Sequence, residues 1–172
     1  VSEVEVRPAR PDELDRAGAV TVAGYAADGH LVRPGGGYDD VYAARLADAA
    51  TRARDSIVLV AAEDDTLLGA VTWCPPGSSW RELGDGDDHG ELRMLAVAPS
   101  ARGRGVGAAL LDACLVAART SGLAEVRLCS LPQMTTAHRL YASRGFARRP
   151  DLDWRPAPDV LLWGFGLDLA PR

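Results

Sequence analysis

The 172-residue chain lacks any run of about 18 consecutive apolar residues, the length a helix needs to cross a bilayer, so no membrane span is expected. It lacks a basic excess as well. Against 19 Lys and Arg stand 24 Asp and Glu, a formal net charge of -5, which argues against a nucleic-acid partner. Cysteine is scarce: Cys74, Cys114 and Cys129 are an odd set without metal-ligand spacing. They read as buried, reduced thiols of a cytoplasmic protein. His30, His89 and His138 share no ligand spacing either, so no metal is expected. There are no internal repeats, low-complexity segments or interdomain linkers. The first residues, VSEVEVRPAR, alternate valine with acid and suggest a strand rather than a signal peptide. With 47% hydrophobic and 25% charged residues, the composition fits one globular domain over residues 1–172 with its own core.

What the chain does have is concentrated in Glu91–Ala108, ELRMLAVAPSARGRGVGA. Leu92, Met94 or Leu95, and Val97 alternate as in a buried strand. A turn at Pro99-Ser100 leads to Arg102-Gly103-Arg104-Gly105-Val106-Gly107, which opens an apolar segment reaching to Arg119. Glycines let backbone approach a ligand closely, and the first turn of a helix has N–H groups with no carbonyl behind them. Those groups and the helix dipole favour a phosphate, and two arginines add charged donors. The loop is not a P-loop, because no Gly-Lys-Ser/Thr follows. Gly103, Gly105 and Ala108 do satisfy the dinucleotide pattern G-x-G-x-x-G/A. However, Ala98–Arg102 separate the strand from the first glycine, and Glu125 stands at the start rather than the end of the next strand.

The segment resembles motif A of the GNAT superfamily of acetyl-CoA-dependent N-acetyltransferases: Leu95-Ala96-Val97, then Pro99, then Arg102-x-x-Gly105-x-Gly107. A second block, Ala137-His138-Arg139-Leu140-Tyr141 followed by Gly145-Phe146, looks like that family's A-x-x-L-Y-x-x-x-G-F. The resemblance covers Val4 to Leu169 and is strongest in the middle. It implies acetyl-CoA as co-substrate, without a metal, and a primary amine of a small molecule or peptide as acceptor. The amine would attack the thioester directly in a ternary complex. A homodimer is compatible with the family. The resemblance also assigns residues. Arg102, Gly103, Arg104, Gly105, Val106, Gly107 and Ala108 would wrap the pyrophosphate. The N–H near Leu95 would polarise the thioester carbonyl, and Ala96 and Val97 would pair with the pantetheine arm. Tyr141 would protonate the departing thiolate, and Glu91 would be the base. Met134 departs from the pattern, since the family commonly has asparagine there.

Each assignment has a plainer alternative. Glu91 is equally a solvated acid at a strand end, and Tyr141 could simply meet Phe146. The arginines could be surface residues and His138 a helix-surface one, while His89 shares the face of Glu91 in a strand. Glu82, Asp85, Asp87, Asp88 and Glu91 form an acidic approach that would attract a cationic amine or merely solvate a loop. Trp80, Trp154, Tyr25 and Tyr38 could line an acceptor pocket, with Pro150–Pro158 shaping its wall. Two other functions stay open: a non-catalytic acyl-CoA-binding module and a nucleotide-cofactor enzyme.

The remaining elements read as follows. Val4–Arg7 is a strand. A helix starts at Pro11, and a second carries Tyr38, Tyr42, Leu46 and Ala49 on one side. Ile57–Ala62 and Leu67–Cys74 form a hairpin with a bulge at Gly69. Pro75–Asp88 is a long loop of functional or mobile type. Glu125–Cys129 is a strand. Thr135 or Thr136 caps a helix that runs to Arg144 and ends at Gly145, and Val160–Leu169 is the last strand. The expected fold is a mixed α/β (α+β) GNAT-like one. It has a central, mostly antiparallel sheet of roughly six to seven strands, flanked on both faces by about four helices.

Overall fold

The computed structural model describes residues 3–169. In chain order the elements are β1 (Glu5–Pro8), α1 (Leu14–Ala27), α2 (Asp40–Ala47), α3 (Ala49–Arg52), β2 (Ile57–Glu63), β3 (Thr66–Cys74), β4 (His89–Val97), α4 (Val106–Thr120), β5 (Glu125–Ser130), α5 (Thr135–Ser143), β6 (Ala147–Arg148), β7 (Trp154–Ala157) and β8 (Val160–Asp168). The sheet runs β1-β2-β3-β4-β5-β8-β6, with β7 paired to β8. Every pairing is antiparallel except β4 with β5.

This is the mixed, mostly antiparallel sheet expected from the sequence, with eight strands among the described residues instead of six to seven. The additions are β6, only two residues long, and β7, inside the proline-rich stretch that reads as irregular. The helices differ similarly. Asp48 divides the second expected helix, because its carboxylate accepts from the Thr51 N–H at 3.0 Å and so caps a new turn. Tyr38 precedes α2 and is bridged to Val32. Neither Thr135 nor Thr136 caps α5; Met134 occupies that place and the threonines form the first turn. Gly145, at φ 89°, ends the segment as expected, and the Phe146 N–H returns to the Tyr141 carbonyl at 3.1 Å.

Helices cover both faces of the sheet, which explains why β2 and β3 are buried almost throughout. On one face α4 inserts Val106, Leu110, Leu111, Cys114 and Leu115 against Leu59, Val71, Leu92 and Val126. Each fully buried leucine contributes about 1.5–3 kcal/mol of transfer free energy. On the other face α1 and α3 set Ala17 and Ala49 against Val58, Val60 and Ala70. A third cluster, Leu31, Leu46 and Met94, joins α2 to β4. The bulge anticipated at Gly69 is present, since the β2–β3 register shifts between Ala61 and Ala62. The loop at residues 75–88 is pinned at several points. Ser79 N–H donates to Asp55 at 2.8 Å, Ser78 meets Ser56 at 2.7 Å, and Arg127 donates to the Leu83 carbonyl at 2.7 Å. These bonds anchor the loop to the approach to β2 and to β5.

α1 reaches α2 only because position 18 has no side chain. A Cβ on Gly18 would lie 1.9 Å from the Ala47 carbonyl oxygen, a backbone atom that cannot swing aside. Gly18→Ala is expected to lower stability by about 1–3 kcal/mol or more through overpacking, read as a lower urea midpoint with little change in slope.

Candidate active site

The site begins with a fault in the sheet. β4 and β5 pair in parallel only over His89–Glu91 and Glu125–Arg127, and then separate. Just beyond, Met94 adopts φ 54°, the left-handed region that side-chain-bearing residues rarely enter. The β3–β4 register shifts at the same level, between Ala70 and Thr72, so Met94 sits in a bulge. Bulges re-aim strands beside functional sites. Here the bulge divides two cavities.

On one side lies a cavity of about 640 Å³ lined by Leu95, Ala96 and Val97 of β4, by Arg102, Gly103, Gly105, Val106, Gly107 and Ala108, and by Thr135–Ala137 and Leu140 across the gap. Gly103 and Gly105 have φ of 74° and 78°, and Gly105 is the residue from which α4 starts. A side chain there would be strained, and the turn that glycine allows leaves the first N–H groups of α4 facing outward. All the residues assigned to the coenzyme meet in this cavity except Arg104. That side chain pairs with Glu63 at 2.7 Å. Arg102 is at the rim and is also engaged, through both terminal nitrogens, with Asp28 at 2.7 and 3.0 Å. The arginines thus tie the loop to α1 and β2. Binding of an anion falls to the backbone and the helix dipole, unless those surface pairs open.

The second cavity, about 500 Å³, lies before the bulge. Its lining includes Tyr42 and Arg45 of α2, Arg93 and Met94 of β4, Cys129 and Ser130 of β5, and Leu161 and Leu162 of β8. Glu82 also lines it, held between Arg93 at 3.0 Å and Arg45 at 3.4 Å. Trp80 lies under both guanidinium groups, at 5.1 and 5.7 Å from its ring centre. Burial raises the Tyr25 and Tyr42 phenols, keeping both as neutral donors. The Cys129 thiol is pushed up to about 11 by burial, so it stays protonated near neutrality and is a poor nucleophile. Tyr25, His30, Gln133 and Met134 line both cavities, so the two spaces adjoin.

The two residues assigned to proton transfer line neither cavity. Glu91 is 1% exposed. Its carboxylate accepts from the Glu82 N–H at 2.7 Å and the Leu83 N–H at 2.8 Å, so it holds the long loop from inside. It is not the solvated strand-end acid of the plainer reading. Burial nevertheless pushes its pKa from 4.5 up to about 7, against the two amides. Tyr141 packs in the core, 5.9 Å from the Phe146 ring and 6.0 Å from that of Phe165. It stays within electrostatic range of Tyr25 and Cys129 in the cavity walls, and burial raises its phenol. His89 is fully buried between Asp88 and Arg81. Tyr38, Trp80 and Trp154 fall outside both linings, while Pro156 and Ala157 do form wall. Sequence reasoning missed Tyr42, Arg45 and Arg93. Arg93 alone carried a signal, as a charge between apolar neighbours of a strand. Among the described residues there is no cluster of His, Cys, Asp or Glu able to hold a metal, and no helix long and apolar enough to cross a membrane.

This architecture matches known proteins. A model of the acetyltransferase (GNAT) family covers residues 27–146, and the chain belongs to that family. Curated relatives include a mycothiol acetyltransferase of Cellulomonas flavigena, 36% identical over 123 residues, which span 66% of this chain and 35% of the relative. A second, from Geodermatophilus obscurus, is 34% identical over 115 residues, spanning 56% of this chain and 37% of the relative. The matched region is thus about a third of these relatives' length. Among solved structures, a putative acetyltransferase, yncA, from Salmonella typhimurium with its cofactor acetyl-CoA superimposes with a TM-score of 0.68 at 21% identity, covering 99% of this chain and 96% of that one. A GNAT-family acetyltransferase from Staphylococcus aureus Mu50 gives a TM-score of 0.73 at 11% identity, covering 98% and 100%. At those identities the likeness is one of fold.

The raised pKa of Glu91 has a thermodynamic consequence. A carboxyl that titrates higher in the folded chain than in the unfolded one favours folding most below its ordinary value. That contribution fades as pH rises through about 7. The stability of the natural chain relative to Glu91→Gln should therefore fall between pH 4.5 and 7, measured by urea denaturation at several pH values. A difference that stays flat over this range would contradict the placement.

Proposed function

We propose that the chain is an N-acetyltransferase that moves an acetyl group from acetyl-CoA to a primary amine by direct attack in a ternary complex. The observation that carries this reading is the pair of adjoining cavities on either side of the Met94 bulge, one of them opening on a helix N-terminus. A cleft of about 300–1,000 Å³ is the usual size for a ligand of this kind. The residues of the donor cavity suit a coenzyme with phosphates at one end and an amide-bearing arm. The α4 N-terminus and the Gly103–Gly105 loop would receive the pyrophosphate. Ala96 and Val97, on the separated part of β4, would offer backbone pairing to the arm. Acetyl-CoA supplies the activated acyl group. The Leu95 N–H, turned by the bulge, is the donor proposed for the carbonyl oxygen as charge develops on it.

The acceptor would occupy the cavity of Tyr42, Arg45, Glu82 and Arg93. Its charges nearly balance, which suits a polar amine carrying its own hydrogen-bonding groups better than a strongly charged polyamine. The curated relatives are named mycothiol acetyltransferases, but they match over only part of their length, so the acceptor is proposed as a class. Free thiols, two of them buried and the Cys129 one held protonated in the cavity wall, favour direct transfer over a cysteine-bound intermediate and fit a reducing, cytoplasmic setting. Tyr141 is kept as the proposed proton donor to the leaving thiolate on the strength of the A-x-x-L-Y block, although it lines neither cavity and burial makes its phenol a weaker acid. Glu91 is proposed to act at one remove, by fixing the loop that places Glu82 at the acceptor wall.

Coenzyme A release from acetyl-CoA should rise above the water background with at least one of glycinamide, glucosamine, spermidine and a peptide with a free N-terminus. The thiol appearing should match N-acetyl product one to one. Release without N-acetyl product would overturn the reading, and binding with no release would make the chain an acyl-CoA-binding module. With an accepted amine, Tyr141→Phe should lower turnover by about tenfold or more while leaving the acetyl-CoA KM within about twofold. Equal losses in both would remove the proton-donor role.

A further inference from the structure

We propose that Ser130 and His138 form the proton exit for the acceptor amine, with Ser130 touching the amine and His138 taking up the proton behind it. The inference rests on the acetyl-transfer reading above and adds the base that neither Glu91 nor Tyr141 supplies directly.

Ser130 is the last residue of β5 and lines the acceptor cavity. β5 runs on to Ser130 beyond Arg127, where its pairing with β4 ends, and Ser130 lines the same cavity as Met94 of the bulge. The Ser130 hydroxyl also lies 3.4 Å from the sulfur of Met134, a residue common to both cavities. The hydroxyl is therefore at the junction of donor and acceptor spaces, where the attacking nitrogen must come.

Behind it, His138 Nε2 lies 3.1 Å from Ser130 Oγ. α5 presents Thr135, Thr136, Ala137 and Leu140 to the donor cavity, and among them His138 turns toward β5 and β8. Its ring stacks on Trp163 at 5.9 Å and leans on Phe165 at 4.9 Å, which fixes its plane. The charged group facing it is Arg148 of β6, which lies over the same two rings and is paired with Asp153 at 2.8 Å. Among the described residues, β8 contributes the two rings and β5 the serine hydroxyl. Burial and Arg148 lower the imidazole pKa, partly offset by the Leu131 carbonyl, so the ring is neutral and able to accept near neutrality. A histidine serving only as surface cover on α5 would need neither the serine contact nor the stacked plane.

The step balances without another reagent. As the amine nitrogen bonds to the acetyl carbon, its proton passes to Ser130 Oγ while the serine proton passes to His138 Nε2. The C–S bond then breaks, and the thiolate takes a proton from water, or from Tyr141, whose phenolate is reprotonated from water. The imidazolium returns its proton to water. Serine is neutral before and after, so it acts as a conduit.

The test uses the full chain, acetyl-CoA and the amine accepted in the screen above. In the natural chain kcat/KM should carry an acid limb set by His138, below the ordinary histidine value of about 6.5. His138→Gln keeps a hydrogen-bonding group but no base. It should lower kcat by about a hundredfold at neutral pH and abolish that limb, leaving only the amine's own titration. Ser130→Ala should give the same profile, and both should bind acetyl-CoA within about twofold of the natural chain and melt cooperatively. Added imidazole should restore part of the activity of His138→Ala. Profiles that superimpose on the natural one, or a drop that is uniform across pH with the limb retained, would overturn the relay. Failure of the natural chain itself to acetylate any amine would instead sink the acetyl-transfer reading on which the relay rests.

Discussion

The backbone of Met94 is the constraint on which the rest of the site depends. A non-glycine residue held near φ 54° costs on the order of 1–3 kcal/mol, and such strain persists only where the surroundings over-determine it. Here β3 continues to pair on both sides of the bulge, while Leu31 and Leu46 clamp the methionine side chain from α1–α2. The strain has a geometric product. β4 turns away from β5, and the sheet opens where a parallel pair would otherwise have closed it. The stretch Leu95–Val97 lines the cavity proposed for the donor, and Arg93 and Met94 line the one proposed for the acceptor.

The two cavities are built with different physics. The donor side relies on backbone: a left-handed glycine pair, the start of α4 and an unpaired strand edge. Its arginines are spent on carboxylates of neighbouring elements, where exposed pairs contribute little, so they act mainly as fasteners. The acceptor side relies on side chains. Glu82, Arg45, Arg93 and the Trp80 ring form one network whose members come from three separate parts of the chain. Glu91 governs that network from within, because the amides it accepts belong to Glu82 itself and to Leu83.

This division explains what could be read from the sequence. Local physics was legible. The strand–turn–glycine–helix order marked the stretch that lines the cavity at the start of α4, Gly69 marked a bulge, and Gly145-Phe146 marked the end of α5. Features set by tertiary partners were not. Arg102 and Asp28 are far apart in sequence, and no local pattern announces that they meet. Glu91 reads as a strand-end acid because the loop that buries it returns from several residues upstream. The acceptor wall combines α2, β4, β5 and β8, whose adjacency exists only once the sheet has formed. Met94 is the hardest case, since methionine carries no preference for the conformation it adopts there.

The most direct test of the account is calorimetric titration of the chain with acetyl-CoA, with NAD as control. Acetyl-CoA should bind saturably and one to one, NAD should bind little, and the acetyl-CoA signal should be lost in Gly105→Glu, which sets a strained side chain and a negative charge at the start of α4. Absence of acetyl-CoA binding, or equal binding of NAD, would contradict it and leave the cleft beside Met94 to a different phosphate ligand.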